Sequence, residues 1–367
     1  MDLSPPGNPK EHNPEDYNEL SEERIKLLNR MDALLNHKQV PTAFWAVLVY
    51  SDLTELTTLV TESEKSSYLL EFCMHACSVL GLTWRQKEPK IRKDTLSISM
   101  FDVEQASEAS SGDSREKTST EKALERDKDC IIRKSCPGEV THIYPHHLIT
   151  AGRPRMAYPP FWDTLKFFWG PERLAAWRSQ IFANLPYDSM QNLVCLNADL
   201  QHMWNDGRFA LRPVGYNNNA KTTLKLEFIW QAAHGKTMNN YVPANNSVLS
   251  SRNLTCIVNP KNNTEYYVAA RINNKVRELK TGDEIVLSTS DPASLPLPSW
   301  ELLDMAFVLS RIVNLSGAGD TADLSVDDSD DYSLPIDSNT RSAPGWMLGW
   351  RILENSTDEA ENETYRE

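Results

Sequence analysis

Cysteine is scarce, with six in 367 residues, too few and too scattered for a disulfide scaffold. No stretch approaches the roughly 18 consecutive apolar residues that a membrane-spanning helix requires. The opening segment, MDLSPPGNPKEHNPEDYNE, lacks the basic patch and apolar run of a secretory leader. These absences lead to the expectation of an intracellular protein, nuclear or cytoplasmic, not secreted and not associated with a membrane. Sequons such as those at Asn253, Asn314 and Asn355 are then chance matches. G-x-S-x-G, P-loop and G-x-G-x-x-G patterns are missing as well, which removes the enzyme classes that depend on them. No internal repeat is apparent.

Positive charge is also short overall, with 38 Lys and Arg against 51 Asp and Glu and a net charge of −13. An acidic total argues against nucleic-acid binding only if it is evenly spread. Asp320 to Glu367 holds 13 acids against 3 bases, whereas Glu125 to Gly235 holds 13 bases against 10 acids. The argument therefore fails for the middle of the chain. The Asp- and Ser-rich end reads as a disordered, solvated tail. It is either a solubilising device or a competitor for a polyanionic ligand.

Along the chain, residues 1–19 read as disordered, 20–103 as a helical N-terminal unit and 104–124 as a polar linker. Residues 125–235 form a mixed segment, 236–318 an extension packed on it, and 319–367 the acidic tail. Within the helical unit, Ser21 caps a helix carrying Ile25, Leu28, Met31 and Leu35. A second helix runs from Pro41 and Thr42 through Leu59, and a third spans about Ser66 to Leu80 with Gly81 as its stop. Cys73 and Cys77 fall on one apolar face and read as core thiols, not as a metal cluster with His75. Arg85, Lys87, Lys90, Arg92 and Lys93 make a basic run that suits a solvated loop, a nuclear-targeting signal or a phosphate contact. Beyond 125, short strands are expected at Cys130–Ile132 and Glu139–Tyr144, a helix from Pro171, a strand or tight loop over Asn192–Asn197, and a short helix over 198–205. Strands follow at Arg208–Pro213, Leu224–Trp230, Tyr266–Ala270 and Ile285–Thr289, and an amphipathic helix over Pro296–Leu315. The fold class is α+β.

The chemistry concentrates in three places. Glu139-Val-Thr-His-Ile-Tyr-Pro145 puts a histidine at the end of a strand, Asn192-Leu-Val-Cys-Leu196 puts an asparagine before an apolar run, and His202-Met-Trp204 puts a histidine in the helix beyond. A one-metal nuclease needs this order of groups. One histidine takes a proton from water, a cation stabilises charge on the phosphate and the leaving 3′ oxygen, and a third residue fixes the geometry. Imidazole suits the first role because its ordinary pKa of about 6.5 lies near working pH.

These residues resemble the HNH (ββα-metal) endonuclease family, and most closely the HNH-domain proteins widespread in fungal genomes. Arg126-Asp127 before Cys130 and the Glu139–Pro145 run are similar to that family's first strand pair. Phe161-Trp162-Asp163, Leu165, Phe168-Trp169, Glu172-Arg173 and Trp177 are similar to its insertion. Asn192-Leu193, Leu196 and Trp204-Asn205-x-Gly207-Arg208-Phe209-Ala210-Leu211-x-Pro213 are similar to its helix and closing strand. Pro296–Leu303 and Ser316–Ala318 are similar to its C-terminal segment, so the likeness spans about 125–318.

The resemblance implies a ββα-metal core over 125–235, His142 as general base and Asn192 as the middle residue of the motif. It implies Mg²⁺ or Mn²⁺, or Zn²⁺, as cofactor, and nucleic acid, DNA first, as partner and substrate. Arg153, Arg155 and Arg173 are the candidate phosphate contacts. Two positions depart from the family. The residue before the base is Thr141 where many members have a metal-binding Asp. The ninth residue after Asn192 is Gln201, and His202 lies one further, turned by roughly 100° on a helix. His202 or Gln201 is the candidate third ligand, and the expectation is that the Asn197–Leu200 turn absorbs the extra residue and brings His202 in. His146, His147 and Asp206 could compensate, although the two histidines suit a loop equally well. Cys130, Cys136 and Cys195 lack the paired C-x-x-C units of a structural zinc and read as thiols. The rival to a divalent-metal-dependent endonuclease is a non-catalytic module of the same fold that binds nucleic acid or protein. A different metal-assisted reaction on the same scaffold is a third reading.

Overall fold

Trp300–Ser316 forms a helix of 17 residues that is buried on nearly every side. Ser299 starts it by accepting the Leu302 N–H on its hydroxyl, and Gly317 ends it at φ +79°, a left-handed stop that costs glycine little. The amphipathic pattern expected for this stretch is not what is seen. A helix apolar all round belongs in a core, and here even Ser310 and Arg311 are buried. Against it pack the strand Phe209–Tyr216 and the helices Thr42–Tyr50, Leu80–Trp84 and Pro171–Phe182. This computed structural model describes residues 13–85, 113–134, 137–150, 161–182, 189–217, 220–258, 263–272 and 275–320.

The architecture is mixed, as expected, with helices around several small antiparallel sheets. The largest has three strands in the order Asp283–Ser288, Thr223–Trp230, Phe209–Tyr216. Its inner face carries Phe209, Phe228 and Trp230, with ring centroids 4.9 Å apart for Phe209–Phe228 and for Phe228–Trp230. A two-stranded pair, Glu139–His142 with Leu193–Leu196, carries the candidate site. A hairpin, Ala269–Ile272 with Lys275–Glu278, lies further along the chain.

The helical N-terminal segment shares the common core. Val40–Pro41 pairs with Tyr241–Val242, and one hydrophobic cluster runs from Leu27 through Trp45, Trp169 and Trp230 to Leu315. The described residues accordingly fall in one compact unit. Among the described residues no helix is long and apolar enough to cross a membrane.

Several local expectations change. Part of the segment expected to be disordered over 1–19 is ordered. Asn13 caps a 3-10 turn, Pro14–Tyr17, whose Tyr17 is buried. Glu15 pairs with Arg24 at 3.0 Å, Asp16 with Arg212 at 2.9 Å, and the Tyr17 hydroxyl donates to Glu227. Asn18 accepts from Tyr50 Oη at 3.0 Å and donates to Ser251 Oγ at 3.0 Å. The single helix expected from Pro41 to Leu59 is two, Thr42–Tyr50 and Leu53–Ser63. The chain turns extended at Ser51, and Asp52 is held there by Phe168 O, Gly170 N and Arg173. Gly81 is no stop. It lies inside Leu80–Trp84, where a Cβ would come within 3.0 Å of Ala318 Cβ and Ser316 Oγ. The second half of the expected linker is the helix Asp113–Asp127. Cys130–Ile132 enters a turn, so the first strand of the site is Glu139–His142 alone. The acidic tail begins later than 319, because Ala318–Asp320 is a buried turn with Asp320 paired to Arg208. Residues 321–367 and the basic positions Lys87, Lys90, Arg92 and Lys93 lie outside the described residues.

Cys73, Cys77, Cys130 and Cys195 are buried free thiols. Burial pushes Cys73 and Cys195 up to about 12, which leaves them inert.

His234 gives the fold a pH dependence. Its ring lies edge-on to Trp45 at 6.3 Å, and Lys236 sits 4.8 Å over the same indole. Burial, with repulsion from Lys236, pushes its pKa down to about 4. The folded chain keeps His234 neutral, whereas the unfolded chain protonates it below about pH 6.5. Stability should therefore fall as pH drops from about 6.5 to about 4, by on the order of 2–3 kcal/mol from this residue. His234→Phe should flatten that part of a plot of melting temperature against pH. An unaltered slope would remove His234 from the acid sensitivity.

Candidate functional site

Two strands and a helix carry the candidate residues. Glu139–His142 and Leu193–Leu196 pair antiparallel with His142 opposite Leu193, and the helix Ala198–Asn205 follows the second strand directly. Alternation along the first strand buries Thr141 and leaves His142 half-buried at its end.

Asn192 fixes what comes after His142. It is buried, and its carboxamide acts on both main-chain groups of Tyr144. Oδ1 accepts the Tyr144 N–H at 2.7 Å and Nδ2 donates to the Tyr144 carbonyl at 3.1 Å. Ile143 N donates to Asn192 O at 2.8 Å and extends the ladder by one bond. A side chain that satisfies both backbone groups of a neighbouring strand end replaces the ladder where the strand stops. The chain must then leave His142 in one direction. It enters a short helix, His146–Thr150, and brings the His146 ring to 5.0 Å from that of His142.

Aromatic packing holds this loop from behind. Tyr144 is buried between Trp162, stacked at 6.2 Å, and Trp84, edge-on at 5.9 Å. Burial, opposed by a hydrogen bond with Trp162 and by Arg178, pushes its hydroxyl up to about 12, so it stays protonated. His147 is engaged by the Thr83 carbonyl at 2.9 Å. Arg85, at the head of the basic run, is buried and pairs with Asp206 at 2.9 Å. His147 Nε2 and Asp206 Oδ1 are thus engaged within the protein.

Arg126 and Asp127 are the residues whose role the sequence did not disclose. Their side chains are 0% and 3% exposed and pair at 2.7 Å. Arg126 donates to the carbonyls of Leu193, Met190 and Pro296, the last at 2.8 Å. Asp127 Oδ2 accepts the Cys195 N–H at 2.9 Å. The pair clamps the second site strand to the segment that leads into the central helix. The signal was an Arg-Asp dipeptide at a helix end, which in sequence reads equally well as a solvated surface pair.

The helix carrying Gln201 and His202 is regular from its first residue, with Gln201 N bonded to Asn197 O at 2.9 Å. No extra residue is absorbed in the Asn197–Leu200 turn. His202 is exposed and Gln201, turned toward the body, is half-buried. Arg173, expected at phosphate, is committed within the protein. Its guanidinium bridges Asp52 and Asp304 at 2.7 Å each and stacks at 5.0 Å on Trp177. Arg153, Arg155 and Cys136 lie outside the described residues. Among the described residues no group of three His, Cys, Asp or Glu side chains is placed to hold a metal ion. Of the candidate donors, Thr141 is buried, Gln201 half-buried and His202 exposed.

Comparison with known families matches residues 122–212 to the model described as HNH endonuclease. That span contains the Arg126–Asp127 clamp, both site strands, Asn192 and the site helix, and it supports an HNH-type segment with a nuclease-type function. No curated protein and no solved structure matches the chain.

Proposed function

We propose that the segment over 122–212 is a ββα-type nuclease module that hydrolyses phosphodiester bonds, with DNA the first substrate to test. The observation that carries this reading is the double hydrogen bond from Asn192 to the Tyr144 backbone, which sets His142 at a strand end inside the matched span. In this reading His142 takes a proton from the attacking water. Water oxygen bonds to phosphorus, the P–O3′ bond breaks, and the leaving oxygen is protonated by solvent. Dependence on a divalent cation belongs to this reading, and a cation would stabilise charge on the phosphate and the leaving oxygen. Nicking of supercoiled plasmid, with and without Mg²⁺ or Mn²⁺, tests the activity. Intact plasmid under all conditions would exclude it.

A second reading, a module that binds nucleic acid without cutting it, is favoured by one observation: Thr141, at the position before His142, is buried, and His202 is exposed. The two readings separate on the helix. Because the helix is regular and His202 exposed, Gln201→His should raise Mn²⁺ affinity at least several-fold, since imidazole outranks a neutral carboxamide for borderline metals. His202→Ala should leave Mn²⁺ binding unchanged. Calorimetric titration of both variants checks this. Loss of binding in His202→Ala would place the third corner on that residue instead.

A further inference from the structure

The last turn of the site helix is set hard against the central helix. Gly207 follows that turn at φ +67°, and a Cβ there would come within 2.5 Å of the Ser310 carbonyl and 2.8 Å of Asn314 N. Gly207 N and Arg208 N close the turn on the carbonyls of Trp204 and Met203, at 2.9 and 2.8 Å. The main chain therefore brings Trp204 and Asn205 to the central helix with little slack, and side chains are left to fill the rest. They do not fill it completely. A cavity of about 10 Å³ lies at this junction, lined by Trp84, Ile143, Trp204, Asn205 and Ser310. Ile143 follows His142, Trp204 and Asn205 end the site helix, Ser310 lies within the central helix, and Trp84 ends the helix Leu80–Trp84.

Trp204 is 4% exposed, and its Nε1 is buried with no hydrogen-bond partner among the described residues. Other buried indoles are paired. Trp230 donates to the Leu279 carbonyl at 3.0 Å, Trp45 to the Asn246 carbonyl at 3.3 Å and Trp177 to Asp304 at 3.0 Å. Trp169 Nε1 is unpartnered as well, and Trp204 differs from it in lining this cavity. An indole N–H is a donor only, so an acceptor must be brought to it. Leaving such a group unpaired in a core is costly, and native structures seldom do so. The size and chemistry of the cavity select the ligand. Its volume is close to the least that holds one water, and a buried water makes about three hydrogen bonds to polar groups around it. Trp204, Asn205 and Ser310 bring an indole N–H, a carboxamide and a hydroxyl to the same small space. A cavity lined by apolar groups alone would stay dry, and no organic molecule fits one of this size.

We propose that this cavity is the binding site of a single ordered water that accepts the Trp204 Nε1–H and bonds onward to Asn205 and Ser310. One lone pair of the water takes the indole proton, and its two hydrogens go to the Asn205 Oδ1 and the Ser310 Oγ. The water is a strut. It ties the end of the site helix to the central helix, beside the residue that follows His142. The inference goes beyond the nuclease reading and does not depend on it.

Magnetisation transfer from water to the indole N–H groups of the isotope-labelled full chain tests the proposal. The Trp204 resonance is assigned by its loss in Trp204→Phe. Should that variant fail to fold, the resonance is the indole peak that Ser310→Ala shifts. In the wild type it should show a cross-peak to water of opposite sign in laboratory-frame and rotating-frame spectra, the signature of a water that tumbles with the protein. Ser310→Ala removes the one hydroxyl that lines the cavity, and with it any exchange relayed through that group. The cross-peak should persist there, changed by less than about twofold, because Trp204 and Asn205 still hold the water. A Trp204 N–H with no cross-peak to water in the wild type overturns the proposal. A cross-peak that vanishes in Ser310→Ala also overturns it, since its source is then the hydroxyl. Neither result bears on plasmid nicking, so this site and the nuclease reading stand or fail separately.

Discussion

His142→Ala is expected to lower plasmid nicking by at least ~10²-fold with the melting temperature unchanged. Removal of a positioned general base has this order of effect. The imidazole is half-buried at a strand end, and the backbone that follows it is fixed by Asn192. The fold should therefore tolerate the truncation. His142→Gln, which keeps hydrogen-bonding capacity and loses the base, should be as slow as His142→Ala. Equal rates for wild type and either variant, in preparations free of contaminating nuclease, would take His142 out of the reaction. The neighbouring His146, with its ring 5.0 Å away, would be the next group to test.

The largest loss of stability is expected from Asp127→Ala. Asp127 is the only carboxylate that pairs with Arg126 among the described residues, and both are nearly inaccessible. Its removal leaves a buried guanidinium uncompensated and the Cys195 N–H without an acceptor. Breaking a buried pair by deleting one partner costs about 3–5 kcal/mol. Arg126→Met/Asp127→Leu, which removes both charges, should be less damaging than Asp127→Ala alone. Thermal unfolding of the three proteins measures the difference. A single-variant loss under about 1 kcal/mol would show that the clamp contributes little and that the site strand is held by its own packing.

Reading the chain as a sequence served best where structure is short-range. The run Leu193–Leu196 and the helix from Ala198 fall where the apolar pentapeptide and the following pattern place them, because four buried strand residues and a short helix need no distant partner to be recognised. The break at Ser51–Asp52 was not legible. It depends on Phe168, Gly170 and Arg173, more than a hundred residues away, and an unbroken apolar pattern through Leu59 gives no hint of it. Arg173 was misread for the same reason, since its partners lie 121 and 131 residues off. The helix Asp113–Asp127 was hidden by polar composition. Over its described side chains it buries Ala123 and Arg126, and so narrow a buried edge goes with the composition of a linker. At the site, the order of His142, Asn192 and the helix was legible. The register of His202 was not, because one residue on a helix changes facing without changing the pattern.

The anchored turn at Pro14–Tyr17 carries a consequence for how the protein is made. Its partners Arg212, Glu227, Ser251 and Arg311 lie between 196 and 296 residues downstream. At about 5–20 residues per second of synthesis, Tyr17 waits roughly 10–40 s before Glu227 exists to receive it. This turn can reach its native contacts only after the strand and helix that hold its partners have been made. Such closure over long sequence separations is slow by topology alone. During that interval the buried acids and arginines of the seal stand open to water and to other chains.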